Sequence, residues 1–218
     1  MHSLGLWDRG SGPLTVLCLG AHSDDIEIGC AGTLMRLLAE CGDVRCHWVV
    51  LSGGSSDERA SEARSSAREL LGRTAAAIEI ESFHDAFFPY CGEQVKKCFE
   101  ELKRKVQPDI VLTHYRDDLH QDHRLVAELT WNTFRDHLIL EYEIPKYDGG
   151  LGSPNLFVPL GQEEVARKVD LLMTHFGSQR SNQWFCPETF RGLMRIRGVE
   201  CNAPTGYAEA FYCRKCVV

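Results

Sequence analysis

Short apolar runs alternate with helix-patterned stretches along nearly the whole chain, and that rhythm most restricts what it can fold into. The run "LTVLCLG" (14–20) is followed by Cys30, Leu34, Leu37, Leu38 and Cys41, ahead of Gly42. That spacing traces one face of a helix and ends on a glycine stop. The pattern then predicts a strand in 45–52, a helix over 57–71, a strand in 76–83 and a helix over 92–106. A strand in 109–114, a helix over 122–136, strands in 137–144 and 155–160, a helix over 162–175 and a last strand in 207–213 complete it. Such alternation, with near-continuously apolar strands, implies a mostly parallel sheet covered on both faces, an α/β three-layer sandwich. In sheets of this kind ligands bind beyond the carboxyl ends of the strands, where the strand order reverses.

The 218 residues suit one domain spanning 1–218, with "MHSLGLWDRGSGP" read as a flexible leader over 1–12. That leader lacks the basic and apolar regions of a signal peptide, and no apolar stretch approaches the ~20 residues of a membrane helix. A net charge of −7 disfavours nucleic-acid and anionic-membrane partners, which call for basic patches. Ten cysteines scattered through strands and helices suit reduced thiols in a cytoplasmic protein better than a disulfide framework. The single CxxC, Cys213 to Cys216, has no second pair near it and reads as the end of a strand.

Two polar clusters fall at predicted strand ends. "AHSDDIEIGC" (21–30) brings His22, Asp24 and Asp25; "THYRDDLHQDH" (113–123) brings His120, Asp122 and His123. Adjacent carboxylates repel each other and resist burial, so a positive group is expected between the clusters. Two histidines and a carboxylate, here His22, Asp25 and His123, form a catalytic zinc set with a position open for water. Zn²⁺ held so, one per chain, would lower the pKa of that water to roughly 7. Asp24 then stays free as a general base. Against this, any one of Asp24, Asp25 and Asp122 could simply cap the helix that follows it. His114 ends a strand near the site, whereas nothing pairs with His47, His84, His137 or His175. A dinucleotide site is excluded, because "GAHSDDIEIGCAG" lacks GxGxxG and would set two acids against a pyrophosphate.

"AHSDDIEIGCAGT" resembles the HPDD-type signature of the PIG-L/LmbE-like zinc-dependent N-deacetylases, and "HQDH" resembles their second motif. "FGSQ" (176–179) follows in order, so the resemblance covers most of the chain. It implies a Rossmann-like fold and removal of an acyl group, usually acetyl, from amino-sugar derivatives. It also implies His22, Asp25 and His123 as zinc ligands and Asp24 as catalytic base. His120 would stabilise the oxyanion or protonate the leaving amine, with Asp122 its neighbour, and Arg59 would contact substrate. Apart from the resemblance, the Asp122 charge two residues away favours an imidazolium on His120, held in place by Asp122. Ser23 stands where the family has proline and Ala31 where it has glycine, which leaves the turn less rigid.

The expectation is a zinc-dependent hydrolase that removes an N-acetyl group from a small amino sugar, with Arg59, Asp118 and Asp148 as candidate substrate contacts. A metal-dependent amidase acting on a non-sugar amide or hydrazide is the alternative. A non-haem Fe(II) oxygenase uses the same ligand types, but the strand pattern and the extra acid Asp24 argue for hydrolysis. A non-catalytic metal-binding protein is a further class, against which Asp24 and His120 argue. A homo-oligomer is compatible with the sequence.

Overall fold

The computed structural model describes residues 12–217, so the expected leader lies outside the described residues save for Gly12. The elements run β1 (Leu14–Gly20), α1 (Asp25–Glu40), β2 (Val44–Ser52), α2 (Asp57–Leu71), β3 (Ala75–Phe83), α3 (Gly92–Lys105) and β4 (Ile110–His114). They continue α4 (Gln121–Thr133), β5 (Leu138–Tyr142), β6 (Leu156–Pro159), α5 (Gln162–His175), α6 (Pro187–Glu200) and β7 (Ala208–Cys213). The strands form one sheet in the order β3-β2-β1-β4-β5-β7-β6. β1 to β5 are parallel, and β7 runs antiparallel between β5 and β6. The α/β architecture expected from the sequence is the one present.

The period of two along each strand builds the layers. Val16 and Cys18 of β1, Cys46, Trp48 and Val50 of β2, and Leu112 of β4 enter a core with apolar residues of α1, α2, α5 and α6. Leu17, Leu19, Val49, Leu51 and Val111 enter the opposite core, with Val95 and Phe99 of α3 and Val126 of α4. Each fully buried Leu, Val or Phe contributes about 1.5–3 kcal/mol relative to exposure.

The chain winds from β1 outward to β3, then returns through α3 on the other face to β4. The order therefore reverses between β1 and β4, and these two strands pair only at Val16↔Ile110, Leu17↔Val111 and Cys18↔Leu112. Both polar clusters lie past the end of that ladder, and residues of both line one cleft. Among the described residues no helix is long and apolar enough to cross a membrane. None of the described cysteines is in a disulfide. Among the described residues no group of three metal-binding side chains includes Cys213 or Cys216.

Candidate active site

His22 leaves the end of β1 in the turn before α1. Asp24 holds the N-cap position of α1, yet its side chain makes no capping bond, so the capping explanation fails for it. Asp25 instead turns back and accepts from the His22 backbone N–H (2.6 Å). The turn packs tightly against the end of β2. A Cβ on Gly53, at φ +89°, would come within 2.5 Å of Ser23 Oγ, so glycine is required there. The second cluster starts α4, with His120 as N-cap and His123 in the first turn.

Three side chains from the two clusters converge. His22 Nδ1 is 3.1 Å from His123 Nε2 and 3.3 Å from an Asp25 carboxylate oxygen; His123 Nε2 is 3.5 Å from the other. For bonds of about 2.0–2.1 Å, tetrahedral ligands stand roughly 3.3–3.4 Å apart. The far ring nitrogens are backed by carboxylates, as in histidines that ligate metals. His22 Nε2–H faces Asp85 Oδ1 (3.0 Å) and Asp122 Oδ2 (3.3 Å), and His123 Nδ1–H faces Asp118 Oδ2 (3.1 Å). The donor set thus fits a divalent cation. His120 and His114 each bring a ring nitrogen within 4.8 Å of two of these groups. His114 is fully buried behind the cluster, where the Ala21 N–H donates to its Nε2 (2.9 Å).

Burial and His114 push the His123 pKa down to about 3, leaving its imidazole neutral and able to ligate. Burial opposes charge on both His22 and Asp25. The carboxylates of Asp25, Asp122 and Asp85 outweigh it for His22 and raise its pKa, and the rings of His123, His114 and His22 outweigh it for Asp25 and lower its pKa. Burial and the Asp25 charge push Asp24 up to about 6, against the pull of Arg59, whose Nη2 lies 3.5 Å away. Asp24 keeps a face on the cleft, which is about 380 Å³ and lined also by Arg59, Asp85, His120, Lys146, Tyr147, Asp148, Gln179 and Trp184.

Several expected roles change in place. Asp122 does not hold the His120 ring: its carboxylate is fully buried and accepts from the N–H of Ala86 (2.7 Å) and Phe88 (3.1 Å) while facing His22. Only its backbone N–H reaches His120, donating to Nδ1 (3.3 Å) and leaving Nε2 as the ring's N–H. Burial and the His22 charge lower the His120 pKa, so a neutral imidazole replaces the expected imidazolium. Asp118 is 2% exposed and does not line the cleft. It accepts from His123, from the His120 N–H (2.7 Å) and from Lys146 Nζ (2.7 Å). Burial disfavours its charge, but His123 and Lys146 hold its carboxyl well below the usual range. Asp117 pairs with Arg214 (3.4 Å). Arg59 and Asp148 do line the cleft. The Arg59 Nη1 also donates to Ser178 Oγ (3.2 Å) in the "FGSQ" segment. Asp85, Lys146, Gln179 and Trp184 had drawn no expectation. The local signals among them were the acid in "HDAFF" and Gln179 at the end of "FGSQ".

A sequence profile of the family described as PIG-L: GlcNAc-PI de-N-acetylase matches residues 17–134, more than half of the chain and both clusters. The chain belongs to the PIG-L family. Members are metal-dependent de-N-acetylases, and this PIG-L chain is a hydrolase of that class, which sets aside the oxygenase and non-catalytic readings. It is 28% identical over 169 residues to the uncharacterized deacetylase YaiS of Escherichia coli K12, covering 73% of this chain and 89% of YaiS. It is similar in structure to the N,N'-diacetylchitobiose deacetylase of Pyrococcus horikoshii, with TM-score 0.68, 24% identity and coverage of 90% and 82% of the two chains. It is also similar in structure to GalB, the 4-carboxy-2-hydroxymuconate hydratase of Pseudomonas putida KT2440 (TM-score 0.71, 19% identity, 94% and 98%). Likeness of fold therefore leaves the chemistry to the side chains.

Proposed function

We propose that this protein removes the acetyl group from a small N-acetylated amino sugar, using one divalent ion, zinc by its donor set of two imidazoles and a carboxylate. The observation that carries the reading is the meeting of His22 Nδ1, the Asp25 carboxylate and His123 Nε2 at 3.1–3.5 Å, with Asp24 open to the cleft beside them. Held by those three groups, a divalent cation supplies Lewis acidity toward the amide carbonyl and the attacking water.

The chain's own groups do the rest. Asp24 takes the proton of the attacking water as its general base. Arg59 keeps that carboxylate oriented. The Nε2–H of His120 donates to the carbonyl oxygen as negative charge collects there. As the C–N bond breaks, Asp24 returns its proton to the amine, and acetate leaves with the water's oxygen. Asp148, Arg59, Tyr147 and Trp184 bound a cleft large enough for a monosaccharide unit, with aromatic surface for the sugar's C–H face and charge for its hydroxyls. The chain acts as one domain in a reducing, cytoplasmic setting.

The test is release of acetate and primary amine from N-acetylglucosamine, its glycosides, N-acetylated pseudodisaccharides and nucleotide-linked forms, set beside non-sugar amides and hydrazides. Cleavage confined to the non-sugar compounds overturns the sugar assignment. Asp24→Asn should keep the metal and lose roughly 10²- to 10⁴-fold in turnover, the usual worth of a general base. Loss of metal along with activity would make Asp24 a ligand.

A further inference from the structure

One wall of the cleft is the irregular segment between Glu143 and Gly152. Lys146, Tyr147 and Asp148 line the cleft from its turn, which closes where the Gly149 N–H donates to Lys146 O (3.1 Å). Gly149 and Gly150 hold φ +71° and +87° there. The segment belongs to no helix or strand, so its position has to be fixed by side chains outside it.

Both of its ends meet one guanidinium. Arg197 of α6, 4% exposed, donates from Nε and Nη2 to the two oxygens of Glu143 (2.8 and 2.7 Å). Its Nη2 also donates to Gly152 O (3.0 Å), and the Gly152 N–H donates to Glu143 Oε1 (3.4 Å). The Tyr212 hydroxyl donates to the same oxygen (3.1 Å), and Nη1 is spent on Glu200 (2.8 Å). Arg197 lines no part of the cleft. At the other extremity Lys146 Nζ reaches Asp118 Oδ2, the oxygen that His123 Nδ1 meets. The loop is thus tied at its base by a buried two-pronged ion pair and at its turn to the carboxylate behind His123.

We propose that Arg197 is a positioning residue for substrate: by closing the 143–152 loop at its base, it sets where Tyr147 and Asp148 stand and so which sugar substituents the cleft admits. The proposal rests on the amino-sugar reading above. Only the planar fork of arginine can meet both Glu143 oxygens and Gly152 O together; a lysine offers one point charge. His22, Asp24, Asp25 and His123 take no direct hydrogen bond from this loop, which reaches His123 only through Lys146 and Asp118, so loosening its base weakens binding while the reacting groups keep their places.

Arg197→Lys and Glu143→Gln test it, with N-acetylglucosamine as substrate, metal content measured, and amide exchange followed along the chain. The expected result is a KM raised about tenfold with kcat within about twofold. Metal content should be unchanged, and exchange faster in 143–152 alone. An unchanged KM in a folded variant overturns the proposal, as does a kcat that falls together with metal content. Unfolding of both variants also overturns it, because the pair would then be a strut of the core. If the wild-type protein cleaves no sugar, the amino-sugar reading falls by itself. Exchange then still decides the clamp, and protection of 143–152 identical to wild type sinks it.

Discussion

At the scale of single residues, polar atoms without partners are as informative as paired ones. Glu27, two residues past Asp25, is fully buried and neither carboxylate oxygen makes a well-formed hydrogen bond. Burial pushes its pKa up to about 8, only partly offset by the Ser66 hydroxyl nearby. An acid whose pKa is higher in the folded than in the unfolded chain costs stability as pH rises, from its ordinary 4.5 to about 8. The slope over that window is about 1.4 kcal/mol per pH unit. Glu27→Gln mimics the neutral acid and removes the slope. Denaturant midpoints should therefore match wild type near the acidic end of the window and exceed it near the basic end. A variant that runs parallel to wild type throughout would mean that Glu27 is ionised in the fold. The same attention to partners explains the misread acids. From sequence, Asp118 and Asp122 are two more carboxylates in an acidic loop; only their buried environment shows that one backs His123 and the other ties Ala86 and Phe88 to α4.

At the scale of elements, α1 is broken inside its length. Cys30 leaves helical geometry at φ −149°, ψ 15°. The break frees the Ile28 carbonyl and the N–H groups of Gly32 and Thr33, which water cannot reach. Lys168 Nζ donates to Ile28 O (2.6 Å) and to Glu209 (2.5 Å), and Glu209 accepts from Gly32 N (2.9 Å) and Thr33 N (2.6 Å). One buried ion pair from α5 and β7 caps both halves of the helix. Lys168→Met should cost about 3–5 kcal/mol in equilibrium unfolding, because Glu209 is left charged and unpaired. Lys168→Met with Glu209→Gln should cost less than the single change. A double variant worse than additive would remove the ion pair from the explanation. None of this was legible in the sequence, where Cys30 to Cys41 reads as one regular helical face. The strands β1 to β5 and helices α1 to α5 were legible, because their apolar spacing is unbroken. Helix α6 was not. Its buried positions are Phe190, Met194, Arg197 and Gly198, a helical stripe in which an arginine and a glycine hide the apolar signal.

At the scale of the whole molecule, the candidate site joins segments that are separate in the chain but adjacent at the strand-order reversal. His22 and Asp25 follow β1, and His123 belongs to α4 beyond β4, 101 residues further on. That the clusters would meet was readable from the strand-end placement alone. Which nitrogen of each histidine faces the other was not, since it depends on the acids packed behind the rings. A cation bound between them links β1, α1 and α4 in the folded state only, so metal and fold are thermodynamically linked. At an ion concentration about 100-fold above Kd the link is worth about 2.7 kcal/mol. For a chain of this length that is a Tm shift of roughly 5–10 °C. Chelation should lower the melting temperature of the purified protein by that order, and added Zn²⁺ should restore it. In His123→Ala, chelator and Zn²⁺ should both leave Tm nearly unmoved, and the purified variant should have lost most of its metal. A variant whose Tm still follows chelator and zinc as wild type does would place the ion elsewhere and remove His123 from the ligand set.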